Sequence, residues 1–370
     1  MITNRKIKLL IVDDSMFFCR FLSGELPKIN PRIDVVGYSM NAYDAFRKVE
    51  ALKPDVISLD IEMPGMSGIE FLKKLLPSSP IPVILVSSSN VQVFDVLSYG
   101  AVDFVKKPDM SAAHSTKSFI HCLSSKINIA CTASVKVPAL RRSATVSSCS
   151  DPSRPKIHLP KLASGKIQLQ NPSSLKLKNT IIAIGASTGG TEATLEVLRN
   201  LPPETPGIVV TQHMPEGFTK MYADRLNNLC RMEVREAKNG DIVHQGLVLI
   251  APGGSCHMKV VREGYSYAVS CTPGEKVNGH RPSVDVLFSS VANCVVSNAV
   301  GIILTGMGAD GAKGLLEMKN HGAYTIGQDK ESCVVYGMPM EAYNMGAVCK
   351  QSSCSCIPSV LIQYLNTLDS

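Results

Sequence analysis

The sequence predicts an α/β protein built as two doubly wound parallel-sheet domains. Short apolar, β-branched runs alternate with segments of helical spacing in both halves of the chain, the pattern of βα units around a parallel sheet. The conspicuous polar residues, carboxylates, hydroxyls, a lysine and a histidine, fall just after the apolar runs, at the strand ends where such sheets gather ligands. Between the halves, residues 133–178 are rich in Ser, Pro and Lys and lack sustained periodicity, which marks a linker. The domains are drawn at 1–132 and 179–370.

In the first half, residues 8–12 read as a strand ending in Asp13-Asp14, and 15–26 as a helix. A short strand at 35–37 precedes a helix over 41–52. Residues 55–59 form a strand ending at Asp60, followed by a helix over 67–76. A strand at 82–86 ends at Ser87-Ser88, and 91–99 is helical. A strand at 102–107 is closed by Pro108, and a last helix runs from about 115 to 129. Asp13, Asp14, Asp60, Ser87 and Lys107 should converge on one crevice. Three gathered carboxylates repel one another unless a cation joins them, and hard oxygen ligands with open positions suit Mg²⁺. One of them can then attack a phosphoryl group.

The second half opens on Ile181-Ile182-Ala183-Ile184, a buried strand, followed by the turn Gly185-Ala186-Ser187-Thr188-Gly189-Gly190-Thr191 and a helix over 192–199. A strand at 207–211 ends in Gln212-His213-Met214-Pro215, and a helix covers 218–227. A strand at 248–251 runs into Pro252-Gly253-Gly254. A helix lies within 283–296, then a strand at 300–304 ends in Thr305-Gly306-Met307-Gly308-Ala309-Asp310-Gly311. A helix over 312–320 and a late strand at 324–327 follow. Ser187, His213 and Asp310 each stand just past a strand end. A serine is a weak nucleophile until a histidine accepts its proton and a buried aspartate fixes the histidine tautomer. Amides in the Gly306–Gly311 turn, such as that of Met307, can donate to an oxyanion. The bland alternatives are a turn serine, a structural histidine and an Asp310 that only caps the next helix. A dinucleotide site is the other reading, but Gly-Ala-Ser-Thr-Gly-Gly lacks the G-x-G-x-x-G spacing, and no acidic residue ends the next strand.

Composition narrows the function classes. The net charge of +7 sits in the linker: residues 134–178 carry nine basic side chains against Asp151, about +8, and the remainder is about −1. Near-neutral folded parts argue against nucleic acid as a partner, and a basic linker reads as a solvating spacer. As a flexible coil it spans roughly 35–40 Å, enough for one domain to fold back on the other. The 12 cysteines are scattered without a Cys-x-x-Cys pair or a secretory leader, so a cytoplasmic setting is expected. Cys354 and Cys356 lack a second ligand pair, so no zinc is expected in the second half. The longest apolar run near the N-terminus, residues 9–12, excludes membrane insertion there.

Two resemblances sharpen these expectations. Val-Asp-Asp-Ser, Leu-Asp-Ile-Glu-Met-Pro-Gly-Met-Ser-Gly, Val-Ser-Ser-Ser and Phe-Val-Lys-Lys-Pro resemble a response-regulator receiver of flavodoxin-like fold. The resemblance implies Asp60 as phosphoacceptor and Mg²⁺ held by Asp14, Asp60 and the backbone carbonyl of Glu62, with Asp13 through water. Ser87 and Lys107 would contact the phosphoryl group, and Phe104 stands where receivers carry a switching aromatic. Ile-Gly-Ala-Ser-Thr-Gly-Gly-Thr, Thr-Gln-His-Met-Pro, Ala-Pro-Gly-Gly, His-Arg-Pro-Ser-Val-Asp-Val-Leu-Phe and Leu-Thr-Gly-Met-Gly-Ala-Asp-Gly together resemble the Rossmann-like catalytic domain of the chemotaxis protein-glutamate methylesterases, the CheB family. That implies Ser187 as nucleophile, His213 as general base and Asp310 as its orienter, with Thr188, Met307 and the loop of His280, Arg281 and Asp285 lining the site. It implies no cofactor in the catalytic domain, a chemotaxis histidine kinase as phosphodonor, and a methyl-accepting chemoreceptor as substrate for demethylation; deamidation of receptor glutamine is an activity that some members of the family add. A monomer is expected. The rival class is a signalling adaptor without catalysis.

Overall fold

A computed structural model describes residues 5–88, 93–135, 168–295 and 299–368. Residues 136–167, with seven of the linker's nine basic side chains, lie outside the described residues, as do the expected helical positions 91, 92 and 296.

The N-terminal domain runs β1 (Ile7–Val12), α1 (Met16–Ile29), β2 (Ile33–Ser39), α2 (Ala42–Leu52), β3 (Val56–Leu59), α3 (Gly68–Leu75), β4 (Val83–Ser87), α4 (Val93–Ser98), β5 (Asp103–Lys106) and α5 (Ala113–Ala130). Its five strands are parallel in the order β2-β1-β3-β4-β5. The chain leaves β1 to one side and returns to β3 on the other, which opens a crevice at their carboxyl ends. Ser15, Asn41 and Ser67, read as first helical residues, are caps instead: their side chains accept the amides of Phe18, Asp44 and Glu70. Glu70 reaches back to the Ser67 amide, completing a capping box; a cap of this kind contributes about 1 kcal/mol.

The C-terminal domain runs α6 (Leu175–Lys178), β6 (Ile181–Ala186), α7 (Gly190–Leu198), β7 (Gly207–Gln212), α8 (Phe218–Leu229), β8 (Glu233–Glu236), β9 (Ile242–Val243), β10 (Leu247–Ile250), β11 (Cys256–Glu263), β12 (Ser266–Pro273), α9 (Val284–Cys294), β13 (Ala299–Ile303), α10 (Ala312–Asn320), β14 (Tyr324–Gln328), α11 (Met338–Asn344) and β15 (Lys350–Ser352). A 3-10 turn at Cys354–Cys356 then leads into α12 (Ile357–Thr367). Seven parallel strands lie in the order β15-β14-β13-β6-β7-β10-β8. The fold class is as expected, with additions. β8 and β15 extend the sheet at its edges, and β11, β12 and β9 form a separate antiparallel sheet. Edge strands keep one side open to water, so β8 buries only Val234 and shows no apolar run.

β6 is buried at all six residues, as parallel strands covered on both faces are. Gly185 is required within it: a Cβ there would lie 2.1 Å from Val284 Cγ1. Helix α9 therefore begins directly against β6. Between the domains the core is continuous. The Phe104 ring of β5 lies 4.6 Å from that of Phe218 on α8, and Phe94 of α4 stacks 5.5 Å from Tyr222. Past α5, the amide of Ser134 donates to the Val334 carbonyl at 2.9 Å.

Candidate active site

Three neighbouring strands, β13, β6 and β7, deliver the three predicted side chains to one rim. Ser187 follows β6 in the middle, His213 follows β7 on one side, and Asp310 sits in the turn after β13 on the other. His213 Nδ1 lies 3.1 Å from Ser187 Oγ, and His213 Nε2 lies 2.7 Å from Asp310 Oδ2. The backbone around the serine is tied on both sides. Its amide donates to the Thr305 carbonyl at 3.0 Å, and Gln212 Nε2 donates to its carbonyl at 2.9 Å. Gly306 allows the two turns to approach: a Cβ there would stand 2.7 Å from the Ser187 Cβ and 2.3 Å from Met338 Sδ. Gly189, at φ +76°, caps α7 and turns the chain away, so the Ser187 hydroxyl is not spent as a helix cap.

Asp310 is 2% exposed. Its carboxylate does not cap α10, whose N-cap is Gly311. It faces the start of α9, accepting the amides of Val284 (2.7 Å) and Asp285 (3.2 Å), the Ser283 hydroxyl (2.8 Å) and Asn278 Nδ2 (2.8 Å). Burial alone would raise its pKa, but the bond and charge of His213, then Asn278 and the Val284 amide, bring it below the usual carboxylate range. A helix N-terminus adds its own preference for an anion. A charged carboxylate only accepts, so the proton of neutral His213 resides on Nε2 and Nδ1 is free to accept from Ser187.

Among the residues implied by resemblance, the structure separates those near the reacting atoms from those that brace them. Met307 is exposed on the turn beside Ser187, at the lip of a groove of about 500 Å³ shared with Tyr336, Gly337, Met340 and Thr132, just past α5. Arg281 braces the loop, donating to the carbonyls of Gly254 and Gly274 at 2.7 Å each. Thr188 is 5% exposed, and its hydroxyl donates across the domain boundary to Asp103 Oδ2 at 2.7 Å. Asp103 Oδ1 pairs with Lys126 of α5. Asp285 accepts from the Gly314 amide and from Asn278, and burial pushes its pKa up.

Sequence reasoning missed Asn278, and it missed the stacking of His280 on His213, with ring centroids 3.7 Å apart and planes at 5°. The Asn-Gly pair at 278–279 signals a tight left-handed turn, but nothing in the chain says which carboxylate the asparagine will face. Asp103 was equally invisible as a partner of Thr188, because the two are 85 positions apart.

At the rim of the N-terminal sheet, carboxylate oxygens of Asp13, Asp14 and Asp60 lie within 4.8 Å of one another. Asp13 and Asp60 are buried and Asp14 is exposed. Lys107 Nζ lies 2.7 Å from both Asp13 Oδ2 and Asp60 Oδ2. Burial raises the Asp13 pKa against the opposing pull of Lys107. For Lys107, burial opposes the charge, but the bonds from Asp13 and Asp60 prevail and raise its pKa. Ser87 ends β4 at the same rim and is buried, and the Glu62 amide donates to Asp60 Oδ1 at 3.3 Å. Gly68 starts α3 tightly against this site, since a Cβ there would meet the Asp60 carbonyl at 2.2 Å.

Similarity to known proteins extends over nearly the full length of the chain. The CheB methylesterase family matches residues 182–361, and the response regulator receiver domain matches residues 9–115. The protein-glutamate methylesterase/protein-glutamine glutaminase 2 of Syntrophomonas wolfei is 49% identical over 364 residues, 98% of this chain and 99% of its own length. The protein-glutamate methylesterase/protein-glutamine glutaminase of Syntrophotalea carbinolica is 45% identical over 346 residues, 92% and 93% of the two chains. Among solved structures, the catalytic domain of Thermotoga maritima CheB methylesterase is 39% identical, covering 50% of this chain and 97% of its own, with a TM-score of 0.49.

Proposed function

This chain belongs to the CheB methylesterase family, and from that premise we propose that Ser187 hydrolyses glutamate γ-methyl esters on chemoreceptors under the control of phosphorylation at Asp60. The observation that carries the reading is the unbroken chain from Ser187 Oγ through His213 to Asp310, at 3.1 and 2.7 Å.

The chemistry follows from the proton positions. Ser187 Oγ attacks the ester carbonyl while its proton passes to His213 Nδ1. The new imidazolium keeps its Nε2–H on Asp310, whose buried charge stabilises it. Backbone amides of the Thr188 and Met307 turns are the candidate oxyanion donors. The carbon–oxygen bond to methanol breaks as His213 returns the proton to the leaving oxygen. A water, deprotonated by the same histidine, then releases the glutamate. With a glutamine side chain the leaving group is ammonia and the remaining steps are unchanged, which gives deamidation.

In the N-terminal domain, residues 1–132, the three clustered carboxylates fit a hard divalent cation, since Asp13 is buried beside Asp60 and the single charge of Lys107 is shared between the two. Asp14, Asp60 and the Glu62 carbonyl would hold Mg²⁺, with Asp13 through water, and the ion would screen charge on an incoming phosphoryl group. Asp60 accepts that group from a chemotaxis histidine kinase, with Ser87 and Lys107 binding its oxygens. As the chain is folded here, Asp103 holds Thr188, next to the nucleophile, and Phe104 packs on Phe218. The receiver thereby limits approach to Ser187, and phosphorylation shifts the equilibrium toward a separated arrangement. The setting is cytoplasmic; among the described residues no helix is long and apolar enough to cross a membrane. An adaptor without catalysis is the weaker reading, because it leaves the Ser187–His213–Asp310 alignment without a purpose.

Methanol release from methylated receptor, with and without a small-molecule phosphodonor, tests the proposal. Release that rises with the phosphodonor supports it; a chain that releases none in either condition refutes it.

A further inference from the structure

We propose that His280 is a positioning residue for the acyl transfer, its ring forming the flat platform that fixes the plane of His213 and supports the imidazolium. This rests on the esterase reading above.

The two hydrogen bonds of His213, to Ser187 at one edge and Asp310 at the other, hold the ends of the ring. They leave it free to roll about the line between them. A parallel ring with its centroid 3.7 Å away and its plane tilted by 5° removes that freedom. His280 is itself fixed. Val277 and His280 exchange backbone hydrogen bonds at 3.1 and 2.9 Å across a two-residue turn, with Asn278 at φ +53° and Gly279 at φ +79°. From that turn Asn278 donates to both Asp310 and Asp285. One tight turn therefore supports both the acid and the base of the triad.

The platform works only if it stays neutral. His280 faces His213 from the end of β7, Asp310 from the turn after β13, Lys126 from α5 and Lys276 from its own loop. Burial first, then the charge of His213, lowers its pKa to about 4, so at neutral pH it presents an uncharged π face. When Ser187 Oγ–H passes its proton to His213 Nδ1, the cation forms against that face and is attracted to it. His280 gains and loses no proton in the cycle.

The test uses the full-length chain treated with phosphodonor. Three quantities are read across pH: the rate at which a fluorophosphonate labels Ser187, and kcat and KM for methanol release. His280→Phe keeps the flat ring without nitrogens; His280→Gln keeps polarity without the ring; His280→Ala removes both. The Phe variant should label near the wild-type rate with its acid limb unmoved. The Gln and Ala variants should label, and turn over, roughly 10- to 100-fold more slowly with KM little changed. If Ala does not fold, the Phe and Gln pair still decides. The proposal falls if Gln matches wild type, if Phe is as slow as Gln, or if Phe moves the acid limb, since each shows that the ring plane is not what matters. A wild-type chain that fails to label overturns the esterase reading and the proposal with it, whereas a labelled wild type with an unaffected Gln variant overturns the proposal alone.

Discussion

Replacing Asp103 by alanine should release the esterase from its own receiver. The Thr188 hydroxyl donates to Asp103 Oδ2 at 2.7 Å, with Thr188 5% exposed and the Asp103 side chain 12% exposed. A hydrogen bond to a charged acceptor contributes about 1.5–3 kcal/mol, and alanine would also leave a buried hydroxyl without this partner in the closed arrangement. The pairing of Asp103 with Lys126 lies within the receiver and is lost equally in both arrangements, so to first order it cancels. The closed-to-open ratio should fall roughly 10- to 150-fold. Basal activity should rise by that factor, up to the rate of the phosphorylated wild type, where no closed form remains to be released. The assay is the initial rate of methanol release without phosphodonor, beside wild type with and without it. A variant whose basal rate stays within about twofold of wild type, while phosphodonor still activates it, would show that this contact does not hold the domains together.

Other perturbations address other parts of the molecule. Ser187→Ala should lower turnover by about 10⁴- to 10⁶-fold and abolish fluorophosphonate labelling, read by single-turnover methanol release. Asp60→Asn, or removal of divalent cations with a chelator, should eliminate the response to phosphodonor and leave the basal rate intact; a chelated enzyme that still responds would count against the Asp13–Asp14–Asp60 site. Gly306→Ala forces a methyl group to within 2.3 Å of Met338 Sδ and 2.7 Å of the Ser187 Cβ, so thermal unfolding should show a loss of about 1–3 kcal/mol, with reduced labelling. His280 is held neutral down to about pH 4 when folded but titrates near 6.5 when unfolded. Between those values the unfolded chain takes up a proton that the folded chain refuses, so stability drains away as pH falls through that window. Urea midpoints against pH should fall less steeply over that range in His280→Phe.

Much of this site was legible because parallel sheets converge their strand ends. Once the apolar runs at 181–184, 207–211 and 300–304 were read as strands, Ser187, His213 and Asp310 were bound to face one rim. Their pairing then needed only the strand order β13-β6-β7. The same logic gathered Asp13, Asp14, Asp60, Ser87 and Lys107. What was not legible depends on long-range packing. The hairpin of β11 and β12 mixes buried Met258, Val260 and Val269 with exposed polar residues, and its strands pair with each other rather than with the main sheet. The Asp103 contact with Thr188 needs two domains to dock, and the stacking of His280 needs a turn to fold over a distant strand end. Neither leaves a periodic trace in the chain.

The placement of Phe104 carries a thermodynamic obligation. Its ring rests on Phe218 of the other domain and against Phe94 of its own, and its backbone belongs to the strand that leads to Lys107. If a phosphoryl group on Asp60 weakens that docking, docking must weaken acquisition of the phosphoryl group by the same factor. A receiver severed from its esterase should therefore hold phosphate more readily than the intact chain. Any mutation that loosens the aromatic seam should make the molecule both more active at rest and more readily phosphorylated.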